Sequence, residues 1–304
     1  MVPLPTPSGA DAKRQTTIPS MAEVVMAIAQ GKARNAFFRL GKAPAKRDPR
    51  NLQLRALLRR AVKLPTEYDF DLNHKGVPTP MFGNDTLGCC VISGRAHQTL
   101  RFELVEQKKV ISISTKEVVD EYLSESGGQD SGLIMLDSIA SWRKQGWIAA
   151  GKRYYIRAFS EVNRARLNEV KTAIFLNLGV GIGLRLPNSA ERELAAGKPW
   201  MTTTGPGSAA NSWGGHYVYV SGYARLGPTC VTWGQKQQMS WGFFSAYCDE
   251  AYAIIDDLNT TKKRAMIDNK KLTAFLATVS KPTSRAKATR KRSSATKVAR
   301  KRKT

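Results

Sequence analysis

"FGNDTLGCCVIS", residues 82–93, sets two cysteines side by side, Cys89 and Cys90, between a turn-forming Gly-Asn-Asp and a run able to start a helix. From there Ile92, Ala96, Leu100 and Leu104 recur every four residues, which predicts a helix from about Cys90 to Gln107. A thiol at that helix start feels the positive end of the dipole, which lowers a cysteine pKa from ~8.5 by one to several units. Cys90 is placed for this, and Cys89, one residue further out, is less so. Three readings of the pair are open: a buried thiol pair, half of a metal site, or a nucleophile. Free cysteine is among the most buried residue types, so the partners elsewhere in the chain must decide.

The other cysteines, Cys230 and Cys248, lie far from the first pair; there is no C-x-x-C, and the chain has three histidines. A zinc site would have to be gathered from scattered ligands, adjacent cysteines strain a mutual disulfide, and the expectation is reduced thiols with no metal and no cofactor. With 304 residues and 42% hydrophobic content the chain can bury a sizeable core. No apolar run approaches the ~20 residues of a membrane span, and the first residues lack the apolar region of a secretory signal. The expected location is therefore cytoplasmic.

The net charge of +24 belongs to the ends. Residues 1–63 hold 13 Lys/Arg against 3 Asp/Glu, residues 281–304 hold 11 and none, and the stretch between is nearly neutral. "KPTSRAKATRKRSSATKVARKRKT" cannot bury enough apolar surface to offset chain entropy, so it reads as disordered. A tail without acid favours contact with nucleic acid or another polyanion by counterion release, although a solubilising charge run is the blander reading. The organisation expected is 1–63 as a basic, partly helical extension packed permanently on the domain, 64–260 as the domain, and 261–304 as a largely disordered tail. Within the extension, residues 20–43 predict one helix and "PRNLQLRALLRRAV" a second, basic and amphipathic.

Beyond α-type periodicity at "STKEVVDEYLSES", "IMLDSIASWRKQG" and "SEVNRARLNEVKTAIFLNL", the texture turns to strand at "VGIGLRLP", "GHYVYVSGYARL" and "PTCVTWG". In the second strand His216, Val218, Val220 and Gly222 share one face, and Tyr217, Tyr219 and Ser221 the other. Helices first and strands afterwards predict an α+β domain with the two kinds segregated. His216 follows "SWGG", where glycines admit a close approach, and is the base candidate for Cys90. His97, two turns and ~10 Å along the helix, is too distant. His74 sits in a loop-like stretch, while Trp213, Trp233 and Trp241 read as core or cleft wall.

These residues resemble the papain-like cysteine peptidases. "LPTEYDFDLNHKGVPTPMFGNDTLGCC" is similar to the opening of the mature enzymes, with Leu64, Pro65, Asp69, Phe70, Gly76, Val77, Thr79, Pro80, Asn84 and Cys90 at matching positions. "GGHYVYVSGY" resembles the family's histidine strand, and "TWG" and "SWGFF" its two Trp-Gly elements. A weaker resemblance is to uncharacterised phage and bacterial proteins with a "GND…G-x-C" pattern. The resemblance covers about residues 64–255. It implies a helical N-terminal half against an antiparallel sheet or barrel half, with a cleft between them. It also implies Cys90 as nucleophile, His216 as base and Asn84 as oxyanion donor, acting on a peptide or protein substrate.

The departures are specific. Val91 replaces the Trp that follows the nucleophile, and Asn84 stands where Gln is usual. The asparagine that orients the histidine is missing: one count puts Val231 there, another Thr232, whose hydroxyl can hold an imidazole as a valine cannot. Two functions follow. One is a thiol hydrolase of amide bonds. The other is a catalytically weak papain-fold binding or structural protein whose basic ends contact nucleic acid or an acidic partner.

Overall fold

Cys90 opens an 18-residue helix that is buried on nearly every side. The computed structural model describes residues 38–59, 61–74, 76–256 and 266–279. In chain order the elements begin with α1 (Leu54–Leu57), β1 (Tyr68–Asp69), α2 (Phe70–Asn73) and the long helix α3 (Cys90–Gln107). Then come α4 (Thr115–Glu125), α5 (Met135–Lys144), a hairpin of β2 (Trp147–Ala149) and β3 (Lys152–Tyr154), and β4 (Ala158–Glu161). The second half adds α6 (Leu167–Leu176), β5 (Val180–Leu186), α7 (Asn188–Ala195), β6 (Gly214–Tyr223), β7 (Pro228–Thr232) and β8 (Gln235–Gln238). It closes with α8 (Trp241–Tyr247), β9 (Cys248–Ile255) and α9 (Asn269–Val279). The architecture is α+β, as the texture of the sequence predicts.

The four-residue repeat identified only one face of α3. His97, Gln98, Arg101 and Glu103 are buried as well, so the helix runs through the core rather than over it. Buried charge survives there because it is paired. Arg95 meets Glu121 at 3.1 Å and Glu125 at 2.6 Å on α4, and Arg101 meets Asp71 at 2.7 Å. Helix α4 starts at a capping box between Ser114 and Glu117, which satisfies two backbone donors reciprocally.

Seven antiparallel strands form the sheet, in the order β4-β9-β5-β6-β7-β8 with β1 added to β6. Strand β6 is central and buried on both faces. On one side Val218 and Val220 join a core with Ile182, Leu184, Val170, Ile174 and Phe243. On the other, Tyr217 belongs to the helical core around α3. The alternation read from the sequence therefore sends β6 into two cores at once, and His216 lies at the strand end between them.

Three expectations differ from what is found. Residues 38–43, placed in a helix by the sequence, run extended and Lys42 bridges Leu133. The second basic helix shrinks to the four residues of α1, whose Leu54 and Leu57 are buried with Leu52 beside them. The stretch read as helical from Ser160 begins as strand, Ser160 pairing with Ala253 in the sheet, and the helix starts only at Leu167. Tertiary pairing overrides local propensity in each case. Ile267 and Leu272, in the stretch assigned to the tail, are buried against Leu52 and Leu57. The rest of that tail and the helix expected upstream of Phe38 lie outside the described residues. No described helix is long and apolar enough to cross a membrane.

Candidate active site

The loop before α3 is tied down by Asp130. Its Oδ1 accepts from the Gly88 N–H at 2.9 Å and from the Tyr122 hydroxyl at 2.6 Å, and that hydroxyl accepts from the Gly132 N–H at 3.0 Å. Gly88 and Gly132 are thereby tied to a single carboxylate, Gly132 through the Tyr122 hydroxyl. Cys89 is the N-cap residue and Cys90 the first residue of the helix. Both are buried free thiols. The Cys89 sulfur turns to the Phe82 carbonyl and the Ser93 hydroxyl, a local and inert setting.

Cys90 Sγ accepts from the backbone N–H of Tyr217 at 3.4 Å, across 127 residues of sequence. That contact brings the helix start against the histidine strand. His216 is fully buried, its ring stacked on Trp233 with centroids 3.8 Å apart and planes within 6°. Its Nε2 shares a 2.7 Å hydrogen bond with Thr232 Oγ1. Of the two residues counted for that place, Thr232 is the one at the imidazole. Nδ1 has no hydrogen-bond partner among the described residues.

Trp233 and Gly234 form the two-residue link between β7 and β8, with φ of 42° and 73°. Such hairpin turns need left-handed backbone at both central positions, which glycine accepts and tryptophan resists by about 1 kcal/mol or more. The strain sits where the indole covers the imidazole. Trp213 stacks in turn on Trp233 at 5.3 Å. The sequence singled out these tryptophans only as core or wall.

A length of the chain itself, residues 39–43, runs against Gly88, Leu133 and Gly215. Lys42 N–H donates to the Gly215 carbonyl at 3.1 Å, Ala43 N–H to Leu133 at 2.9 Å, and Leu133 N–H to Gly41 at 2.8 Å. Arg39 N–H donates to Asn84 at 3.1 Å. The Arg39 carbonyl accepts from Asn84 Nδ2 at 3.0 Å and from Trp233 Nε1 at 3.2 Å. Gly41 crosses so close that a Cβ there would overlap the Gly88 carbonyl, and one on Gly215 would overlap the Lys42 carbonyl. Asn84 thus offers one amide hydrogen to the Arg39 carbonyl, and the other ties its own loop through the Leu87 carbonyl at 3.0 Å.

In this setting burial opposes ionisation of the Cys90 thiol. Burial pushes Cys90 up to about 11, against the opposing pull of the Tyr217 and Gly41 backbone and of Lys42. Burial alone drives His216 down to about 3. The helix terminus, worth at most ~2 kcal/mol, loses here to a desolvation that shifts fully buried groups by up to ~3–5 units. This reverses the direction that the sequence implied, because burial outweighs the helix terminus. Cys89 rises further, to about 12. His97 is buried against Phe82, and His74 stacks on Phe70 away from the cleft.

Helices packed on an antiparallel sheet, with the start of the long helix against the strand that carries His216, match the papain-like fold. Among solved structures, xylellain, a cysteine protease from Xylella fastidiosa, is similar with a TM-score of 0.56 and 17% identity; the match covers 74% of this chain and 98% of xylellain. The Carica candamarcensis cysteine protease CMS1MS2, solved with E-64, is fainter (TM-score 0.48, 14% identity, 64% of this chain and 99% of that one). A mite-allergen structure, from a comparison of Blo t 1 and Der p 1, is as faint (TM-score 0.48, 12% identity, 78% and 82%). No family model matches the sequence, and no curated protein matches it.

Proposed function

We propose that this chain is a thiol hydrolase of peptide bonds whose described form is closed by its own residues 38–43. The observation that supports it is the contact between Cys90 Sγ and the Tyr217 backbone, beside a histidine held by Thr232 and Trp233. In the open site the Cys90 thiol gives its proton to His216 Nδ1 and the sulfur bonds the substrate carbonyl carbon. The oxyanion is received by the Cys90 backbone N–H and by the Asn84 amide hydrogen now bonded to Arg39. The imidazolium returns the proton to the departing amine as the C–N bond breaks. Water then attacks the thioester with His216 taking its proton, and the Cys90 thiol is restored as the acid leaves. Thr232 keeps the ring oriented throughout, the role an Asn has in the family.

The segment that must leave is short. Leu52, Leu54 and Leu57 anchor the following stretch in the core, so the extension stays attached while 38–43 moves. Any side chain at position 41 would expel it, because the site has no room for a Cβ. The test is hydrolysis of a denatured protein substrate by Gly41→Val, with Gly41→Val/Cys90→Ala as control. Cleavage by the first and none by the second supports the reading.

A second reading is a papain-fold binding protein without efficient catalysis. The free Nδ1 of His216 and a hydroxyl in place of an amide behind it favour that reading. A folded Gly41→Val protein that cleaves nothing would establish it.

A further inference from the structure

Successive residues of a strand point to opposite faces, yet Asp249 and Glu250 of β9 both reach one ammonium. The Lys42 nitrogen lies 3.0 Å from Asp249 Oδ2 and 3.0 Å from Glu250 Oε1. The register explains this. Gly183 of β5 pairs with Glu250 and Leu184 with Cys248, leaving Asp249 as the extra residue of a bulge. Bulges of this kind re-aim side chains beside active sites. Opposite them, a Cβ on Gly183 would overlap the Lys42 stem, so the absent side chain is what gives the lysine its channel.

We propose that Asp249 and Glu250 form the pocket that selects a basic side chain in the peptide cleaved at Cys90, arginine ahead of lysine, with Lys42 as its built-in occupant. This deepens the peptidase reading and rests on it. Gly41 crosses the nucleophile, and Lys42 is the next residue, held by backbone bonds to Gly215 and Leu133. A substrate taking the place of this segment therefore presents a side chain to the pocket one residue away from the reacting one.

The pocket holds more acceptor capacity than lysine fills. The Lys42 side chain is 1% exposed, Glu250 6% and Asp249 14%. Asp249 Oδ1 and Glu250 Oε2 have no hydrogen-bond partner among the described residues. Two carboxylates face one ammonium, and a buried unpaired carboxylate oxygen is costly. Burial, with the like charge of Asp249 adding to it, pushes Glu250 up to about 7 even with Lys42 pulling the other way. A guanidinium brings five donors in a planar fork that matches carboxylates, which is why arginine should be preferred.

The test uses full-length Gly41→Val and internally quenched peptides of glycine and alanine carrying one variable residue: Arg, Lys, Leu or Glu. Arg and Lys peptides should be cleaved at least tenfold faster in kcat/KM than Leu, with Glu slowest. The cut, located by mass spectrometry, should fall one residue from the basic one. Adding Asp249→Asn and Glu250→Gln should bring Arg to within about threefold of Leu in the same protein. Cys90-dependent cleavage that treats all four alike, or a basic preference surviving both substitutions, overturns the pocket.

If the folded Gly41→Val protein cleaves nothing, the peptidase reading falls, and equilibrium binding of the same peptides judges the pocket by itself. Tighter binding of Arg than Leu, lost in the double substitution, keeps it; equal binding removes it. Should Gly41→Val not fold, Lys42→Ala vacates the pocket, and millimolar butylguanidine should raise its Tm but not that of Lys42→Ala/Glu250→Gln. Equal response of the two again overturns the proposal.

Discussion

His216 Nε2 and Thr232 Oγ1 stand 2.7 Å apart, a hydroxyl holding the imidazole where the papain-like pattern has an amide. Because the pair is buried, removing the hydroxyl leaves a ring nitrogen unsatisfied, at a cost of roughly 1–3 kcal/mol. In the opened protein, Thr232→Val should lower kcat by about 10- to 100-fold with little change in KM, and Thr232→Ser should recover most of it. Equal kcat for Thr and Val would show that stacking on Trp233 orients the ring unaided.

The Asp130 network makes a second claim about positioning. Tyr122→Phe removes one hydrogen bond to Asp130 and another from Gly132, leaving that N–H to find a new acceptor. We expect a loss of about 1–3 kcal/mol in urea unfolding. In the Gly41→Val background KM should rise more than kcat falls, since Gly132–Leu133 is the wall that pairs with a peptide. A KM that stays fixed would limit the tyrosine to a stabilising role.

Acid should act through His216. Its folded pKa lies near 3 against an ordinary 6.5, so between those values the unfolded chain binds the proton and the closed form does not. Stability therefore falls as pH drops through that window, by up to about 1.4 kcal/mol per unit. Glu250, raised from 4.5 to about 7, has the opposite sign and loses stability as pH rises through its own window. The two partly cancel above 4.5, and the histidine acts without that offset below it. Glu250 is common to both proteins, so urea titrations of wild type and His216→Asn should diverge as pH falls from 6.5 to 3, most steeply midway through that window. Parallel curves would mean that the ring already meets water.

What was legible in the sequence was local. The start of α3 and the face alternation of β6 follow from spacing within one element, whereas between Val231 and Thr232 spacing left two counts and only the hydroxyl favoured Thr232. The covering segment and the acidic pocket do not, because they join parts of the chain far apart: Lys42 and Asp249 are 207 residues from each other. The bulge at Asp249 arises from the pairing of β9 with β5, which "CDEAYAII" alone does not specify. Residues 38–43 were misread as helical because the amides and carbonyls that hold them extended belong to Gly215, Leu133 and Asn84. The direction of the Cys90 shift was misjudged for the same reason, since only the fold reveals what excludes water there.

Alkylation of the two neighbouring cysteines tests the central claim most directly. Wild type and Gly41→Val, both full length, are treated with iodoacetamide at neutral pH, and fragment ions assign the label to Cys89 or Cys90. Cys90 should react slowly in the wild type and at least tenfold faster in Gly41→Val, with Cys89 silent in both. Equal rates at Cys90 in the two proteins, or label on Cys89 ahead of Cys90, would contradict a nucleophile covered by residues 38–43.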